Sequence, residues 1–215
     1  MVVYSNYVEV FNDWEDEYYD YWGDEDYSSA KMLLTEDWKE PNTGIVLKKG
    51  KTVSFNENGG FDYFTLAKDW RHPELGYTLK AETIVNYYDN GNLCSFTIKD
   101  DFKLENGMIA KGGEAIRFNL DGSINIITLA EKWKQLESDL IIKDNTIVSF
   151  WEGSKFYKYT PACDVKLPGT NIILKKDCEV KRKKDGSLMS ATFAEPWTDP
   201  ETGMEYESDK EYSFD

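Results

Sequence analysis

The chain has 215 residues, 40% of them hydrophobic and 15% aromatic, with a formal net charge of −15. That apolar content supports a sizeable core and argues against wholesale disorder. No apolar run is long enough for a membrane-spanning helix, and charge of this sign disfavours direct contact with a nucleic-acid backbone.

The acidity is concentrated at the two ends: residues 1–43 carry −10, residues 195–215 carry −7, and residues 44–194 carry +2. The start, Met1-Val2-Val3-Tyr4, has no basic region leading into an apolar stretch, so no signal peptide is visible. Cys94, Cys163 and Cys178 are odd in number and lack metal-like spacing, which points to reduced thiols. Together these features predict a cytoplasmic protein, or an extracytoplasmic one if a leader has been cut away.

The first distinctive segment is Trp14, Glu15, Asp16, Glu17, Tyr18, Tyr19, Asp20, Tyr21, Trp22, Gly23, Asp24, Glu25, Asp26 and Tyr27, with seven carboxylates, six aromatics and no base. One reading makes it part of an acidic capping unit over residues 1–43, with aromatics on the core and acids in water, as the ends of repeat arrays require. The other makes it a docking surface, with Tyr and Trp as anchors and carboxylates steering a basic partner. A protein imitating nucleic acid would have a similar composition.

A turn residue then recurs at Gly59, Gly91, Gly122, Ser154 and Gly186, at spacings of 32, 31, 32 and 32. Eleven residues after each stands Trp70, Phe102, Trp133, Val165 or Trp197, and six residues after each stands Thr65, Thr97, Thr128, Thr160 or Thr192. Tyr27 and Trp38 fit one unit upstream, with Leu33 at the threonine position. Several columns in phase define a repeat array of about six units of about 32 residues each.

Each unit breaks into three runs, as in Gly44–Leu47, Thr52–Phe55 and Phe61–Trp70. Val53 and Phe55 alternate with polar residues like a half-buried strand, and the two positions read Val85 and Tyr87, Ile116 and Phe118, Val148 and Phe150 in later units. Turns such as Asn58-Gly59, Asp89-Asn90-Gly91, Asp121-Gly122 and Asp185-Gly186 accept the positive φ of tight hairpins. The fold expected is all-β: an antiparallel β-meander, twisted or partly rolled, with a parallel β-solenoid as the alternative. The segment Thr65–Trp70 reads as a strand end rather than a helical turn. Residues 44–197 form the repeat array and residues 198–215 an acidic partial repeat, the whole being one continuous domain. Trp70 and Trp133 are expected to be buried in matching settings.

Tyr87-Tyr88-Asp89-Asn90-Gly91-Asn92-Leu93, Asn106-Gly107 and Phe118-Asn119-Leu120-Asp121-Gly122-Ser123-Ile124 resemble the aromatic-x-x-Asn/Asp-Gly-x-aliphatic hairpins of MORN-like bacterial repeat proteins. The resemblance covers most of 44–194, in a unit longer than the standard MORN repeat. It implies a β-hairpin array and a binding role, in a group that includes antitoxin-like proteins. It carries no catalytic residue over.

Three further features bear on function. Lys48, Lys80, Lys111, Lys143 and Lys175 form a column, expected to blunt exposed edges against pairing. The threonine column is expected to be a structural ladder with its hydroxyls satisfied by neighbours. Lys175-Lys176 and Lys181-Arg182-Lys183-Lys184 form a basic patch, expected to be neutralised by the acidic tail Glu201 to Glu211 lying one unit away.

Catalytic raw material is scarce. His72 is the sole histidine, without a Ser/His or Cys/His arrangement, and turns such as Asp89-Asn90-Gly91-Asn92 lack the ligand spacing of a calcium loop. No catalytic residue, cofactor or metal is assigned. The expectation is a non-enzymatic protein-binding repeat, immunity-, antitoxin- or inhibitor-like, engaging a basic or nucleic-acid-binding protein partner. The alternative is a structural or surface repeat that binds carbohydrate through exposed aromatics.

Overall fold

A computed structural model describes residues 8–9, 30–41, 43–72, 78–136 and 138–214. Every strand pairing in it is antiparallel and no helix occurs among the described residues, so none is there to cross a membrane. The chain forms two compact units, 1–96 and 97–215.

In the first unit the sheet runs in chain order through Val8–Glu9, Ala30–Leu33, Thr52–Phe55, Phe61–Thr65, Ile84–Tyr87 and Leu93–Thr97. Short two-stranded ribbons interrupt it, Trp38–Lys39 with Val46–Leu47 and Trp70–Arg71 with Thr78–Leu79. The second unit repeats the plan. Its sheet runs through Ala115–Phe118, Ile124–Thr128, Ile147–Phe150, Phe156–Tyr159, Val180–Arg182, Leu188–Thr192 and Glu211–Ser213. Its ribbons pair Phe102–Lys103 with Ile109–Ala110, Trp133–Lys134 with Ile141–Ile142, Val165–Lys166 with Ile173–Leu174, and Trp197–Thr198 with Glu205–Tyr206. In neither unit do the first and last strands pair with each other, so neither sheet closes into a barrel. The antiparallel meander is therefore the fold, and the parallel solenoid is not.

The repeat is thus four strands rather than three runs. The third run divides: Phe61–Thr65 belongs to the sheet, Leu66 makes an isolated bridge to Leu47, and a new strand starts at Trp70. The same bridge recurs at Ala110 with Leu129, Ile142 with Pro161 and Leu174 with Phe193, tying these ribbons back to the sheet.

Turn chemistry sets the hairpins. Gly59, Gly91, Gly122 and Gly186 have φ of 77°, 83°, 81° and 96°, and Ser154 takes φ 64° at the same position. In the Asn119 hairpin the Asn119 N–H donates to the Ser123 carbonyl at 2.7 Å and the Gly122 N–H to the Asn119 carbonyl at 3.0 Å. Each such hairpin carries a register shift, as between Arg117 and Phe118, which sharpens the local twist.

The core is built from columns. Val53, Val85, Phe64 and Phe96 are buried in the first unit; Ile116, Val148, Val180, Ile127, Tyr159 and Ala191 are buried in the second. Ribbon residues Leu47, Leu79, Ala110, Ile142 and Leu174 and bridge residues Leu66, Leu129 and Phe193 complete it. Within each unit, successive repeats bury their apolar residues against one another, as in other repeat arrays.

Two expectations about burial need correction. Ser54, between Val53 and Phe55, is fully buried, while Phe55 is only half-buried. Ser54 stands between the longer side chains of its cross-strand partners Lys31 and Tyr63, and its hydroxyl donates to Asp62 Oδ2 at 2.9 Å. Trp70 and Trp133 do share a setting, since each begins a two-residue ribbon strand, but both are half-buried.

Candidate functional site

The acidic aromatic segment from Trp14 to Asp26 lies outside the described residues. The other acidic segment is described, and it combines carboxylates with aromatic rings. Trp197 and Tyr206 are cross-strand partners in the last ribbon, with rings stacked at 5.2 Å. Tyr212 meets Tyr206 edge-on at 4.9 Å, and Phe214 lies 5.7 Å from it. Fully buried Phe193 touches all four, at 5.8 to 6.0 Å. The four outer rings are half-buried.

Around them Glu195, Glu201, Glu205, Glu207, Asp209 and Glu211 are exposed. Lys210 is the one cation of the segment, and it pairs with Glu207 at 2.7 Å, which raises its pKa. Asp199 accepts from the Thr202 hydroxyl at 2.7 Å and from the Glu201 N–H at 2.9 Å; these bonds hold its carboxyl below the ordinary carboxylate value. The result is an anionic surface with aromatic area at its centre, the composition that favours a cationic partner.

The lysine column behaves differently from an edge guard. Lys48 pairs with Glu82, Lys143 with Asp177 at 2.5 Å, and Lys175 with Asp209; Lys111 donates to Asn145 Oδ1 at 2.8 Å. Each acceptor lies 34 residues on and has positive φ: 71° at Glu82, 56° at Asn145, 61° at Asp177 and 66° at Asp209. The acceptor's own N–H donates to a bridge-residue carbonyl, as Asp177 does to Pro161 at 2.9 Å. Lys143 holds the Asp177 carboxyl below its ordinary value and is itself raised by that bond. The column therefore stitches successive repeats within each compact unit. Lys80 pairs with Asp69 at 3.7 Å.

The threonine column contributes through its carbonyls. Thr65, Thr128, Thr160 and Thr192 accept from the N–H groups of Lys48, Lys111, Lys143 and Lys175 at 2.8 to 2.9 Å. In the basic patch, Lys175 alone reaches the acidic tail in a described ion pair. Lys181 pairs at 3.3 Å with Glu179, which directly precedes its own strand, Lys184 pairs at 3.6 Å with Glu152 on the preceding hairpin, and Arg182 turns inward onto Tyr159. Neutralisation is real but comes mostly from within the array.

An aspartate column escaped the sequence reading. Asp37, Asp69, Asp101 and Asp164 each accept, at 2.8 to 2.9 Å, the N–H of a turn residue in the same unit: Lys49, Ala81, Gly112 and Lys176. The signal was present, since each precedes Trp38, Trp70, Phe102 or Val165.

His72 is buried, edge-on to Trp70 at 5.0 Å. The turn acids serve the turns. Asp121 Oδ1 accepts from the Ser123 N–H and hydroxyl, Asp185 Oδ1 does so from Ser187, and both carboxyls are held below the ordinary value by these bonds. Trp133 and Trp151 donate their indole N–H groups to the Asn106 and Arg182 carbonyls. Cys94, Cys163 and Cys178 are free thiols. No protein-family model matches the chain, and no curated protein matches it.

Proposed function

We propose that this chain is a non-enzymatic binding protein that engages another protein of basic surface, in the manner of an immunity, antitoxin or inhibitor protein. The observation that carries the reading is the anionic aromatic cluster at 195–214. Four half-buried rings, Trp197, Tyr206, Tyr212 and Phe214, sit among exposed carboxylates, of which Glu207 pairs with Lys210 and Asp209 with Lys175. Aromatic rings supply contact area at low entropic cost, and the carboxylates speed encounter with a cation. The N-terminal segment from Trp14 to Asp26 has the same composition. The resemblance of 44–194 to MORN-like repeats is consistent with a scaffold that presents such surfaces.

The test uses a fluorescent Lys/Arg-rich peptide and anisotropy at low and high salt. Binding at low salt that fades with salt is expected. Combined Glu201→Gln, Glu205→Gln and Glu211→Gln is expected to slow association several-fold with little change in the urea midpoint. The same association rate in the triple variant would sink the reading for this surface. Neutralising Glu15, Asp16, Glu17 and Asp20 as amides tests the other acidic segment in the same assay.

A further inference from the structure

Two departures from the repeat fall side by side in the second unit. The ribbon position that reads Trp38, Trp70, Phe102, Trp133 and Trp197 elsewhere is Val165 here. The hairpin position that reads Phe55, Tyr87, Phe118, Phe150 and Phe214 elsewhere is Arg182. One replaces an aromatic ring by a small side chain, and the other replaces a ring by a cation.

Trp133 shows what the missing ring would occupy. Its indole packs edge-on to Phe156 at 6.0 Å and its Nε1 donates to the Asn106 carbonyl, in the turn of the preceding ribbon, at 3.2 Å. One repeat further on, the corresponding turn position is Ser138. Between that turn, Val165 and Arg182 there is an open cleft of about 760 Å³ instead of a ring. Phe156, Val165 and Leu167 give it apolar walls.

Arg182 is held at the cleft with donors to spare. Its Nε and Nη2 donate to Tyr159 Oη at 3.1 and 2.9 Å, and its Nη1 donates to the Gly186 carbonyl at 3.1 Å. A guanidinium has five N–H donors, so one on each Nη has no acceptor among the described residues. No carboxylate among them forms an ion pair with it. Tyr159 is fully buried, and burial raises its phenol pKa, so it stays neutral and leaves the Arg182 charge uncancelled. Among the described residues, Lys155 and Lys166 also line the cleft, against Asp139, so with Arg182 its described lining carries a net positive charge in a strongly acidic chain.

We propose that this cleft binds a small planar aromatic carboxylate. The ring takes the volume left by the absent indole, against Phe156, Val165 and Leu167. The carboxylate takes the free N–H of each Arg182 Nη, whose fork matches its two oxygens.

The experiment titrates the protein with indole-3-acetate and with its neutral analogue indole-3-acetamide, by calorimetry and by thermal shift. Saturable binding of the carboxylate is expected, with the amide weaker by about tenfold or more. Val165→Trp restores the residue used by the neighbouring units; it is expected to abolish binding while keeping the urea midpoint at or above that of the parent. Arg182→Gln is expected to remove the preference for carboxylate over amide, which keeps the proposal testable if the tryptophan variant fails to fold. The proposal is overturned if the parent protein shows no saturable binding of the carboxylate. It is equally overturned if carboxylate and amide bind alike, or if a folded Val165→Trp protein binds as before.

Discussion

Lys143 Nζ lies 2.5 Å from Asp177 Oδ1, in the left-handed turn residue of the following unit, 34 positions away. The same reach joins Lys48 to Glu82 and Lys175 to Asp209. The lysine supplies a backbone N–H to the threonine carbonyl of its own unit and a side chain to the next, so one residue type fixes both register and stacking.

This relationship predicts an acid-sensitive array. Asp121, Asp177, Asp185 and Asp199 all have carboxyls held below their ordinary value in the folded chain. Their contribution is therefore complete above the unfolded carboxylate pKa, about 4, and is lost as pH falls through the depressed folded values. Urea midpoints should stay flat from about pH 7 to pH 5 and fall below about pH 4. Asp177→Asn should lower the midpoint at neutral pH and shrink the drop on acidification. A parent midpoint that rises as the pH is lowered would contradict the assignment.

Ser154 holds a left-handed turn where the neighbouring units use glycine. The left-handed conformation costs an L-residue about 1–2 kcal/mol, part of which glycine gives back as unfolded-state entropy. Ser154→Gly should thus stabilise the protein by about 0.5–1 kcal/mol, and chemical denaturation measures it directly. No gain would mean that the Ser154 side chain has an offsetting role.

Burial should rank the ring deletions. Phe193 is fully buried and touches four other rings, so Phe193→Ala should cost about 3–5 kcal/mol. Trp133 is half-buried, held by Phe156 and by the Asn106 carbonyl, and Trp133→Ala should cost less, about 2 kcal/mol. Equal or reversed losses in urea unfolding would show that the ribbon indoles belong to the core proper.

The buried serines should behave unequally. Ser54 donates to Asp62, whereas Ser190 Oγ is buried with no partner among the described residues. Ser190→Ala should be neutral or mildly stabilising, and Ser54→Ala should cost about 1 kcal/mol. The comparison needs two denaturation curves, and a larger loss at Ser190 would point to an acceptor for its hydroxyl.

Much of this fold is legible in the residues themselves because its turns are local. Asp121-Gly122 and the in-phase Ser154 specify left-handed hairpin positions within four or five residues, and Val53, Val85, Ile116 and Val148 mark the same inward strand position. Those signals determine an all-β antiparallel repeat without reference to distant contacts. The tertiary structure decided what depends on two units meeting. It divides Phe61–Trp70 between sheet and ribbon, because the break at Leu66 is set by a bridge to Leu47 from the preceding ribbon. It pairs Lys143 with Asp177, because that reach depends on stacking register rather than local spacing. It also turns two ordinary-looking substitutions, Val165 and Arg182, into one cleft, since residues 17 positions apart become neighbours only after the ribbon folds back along the sheet.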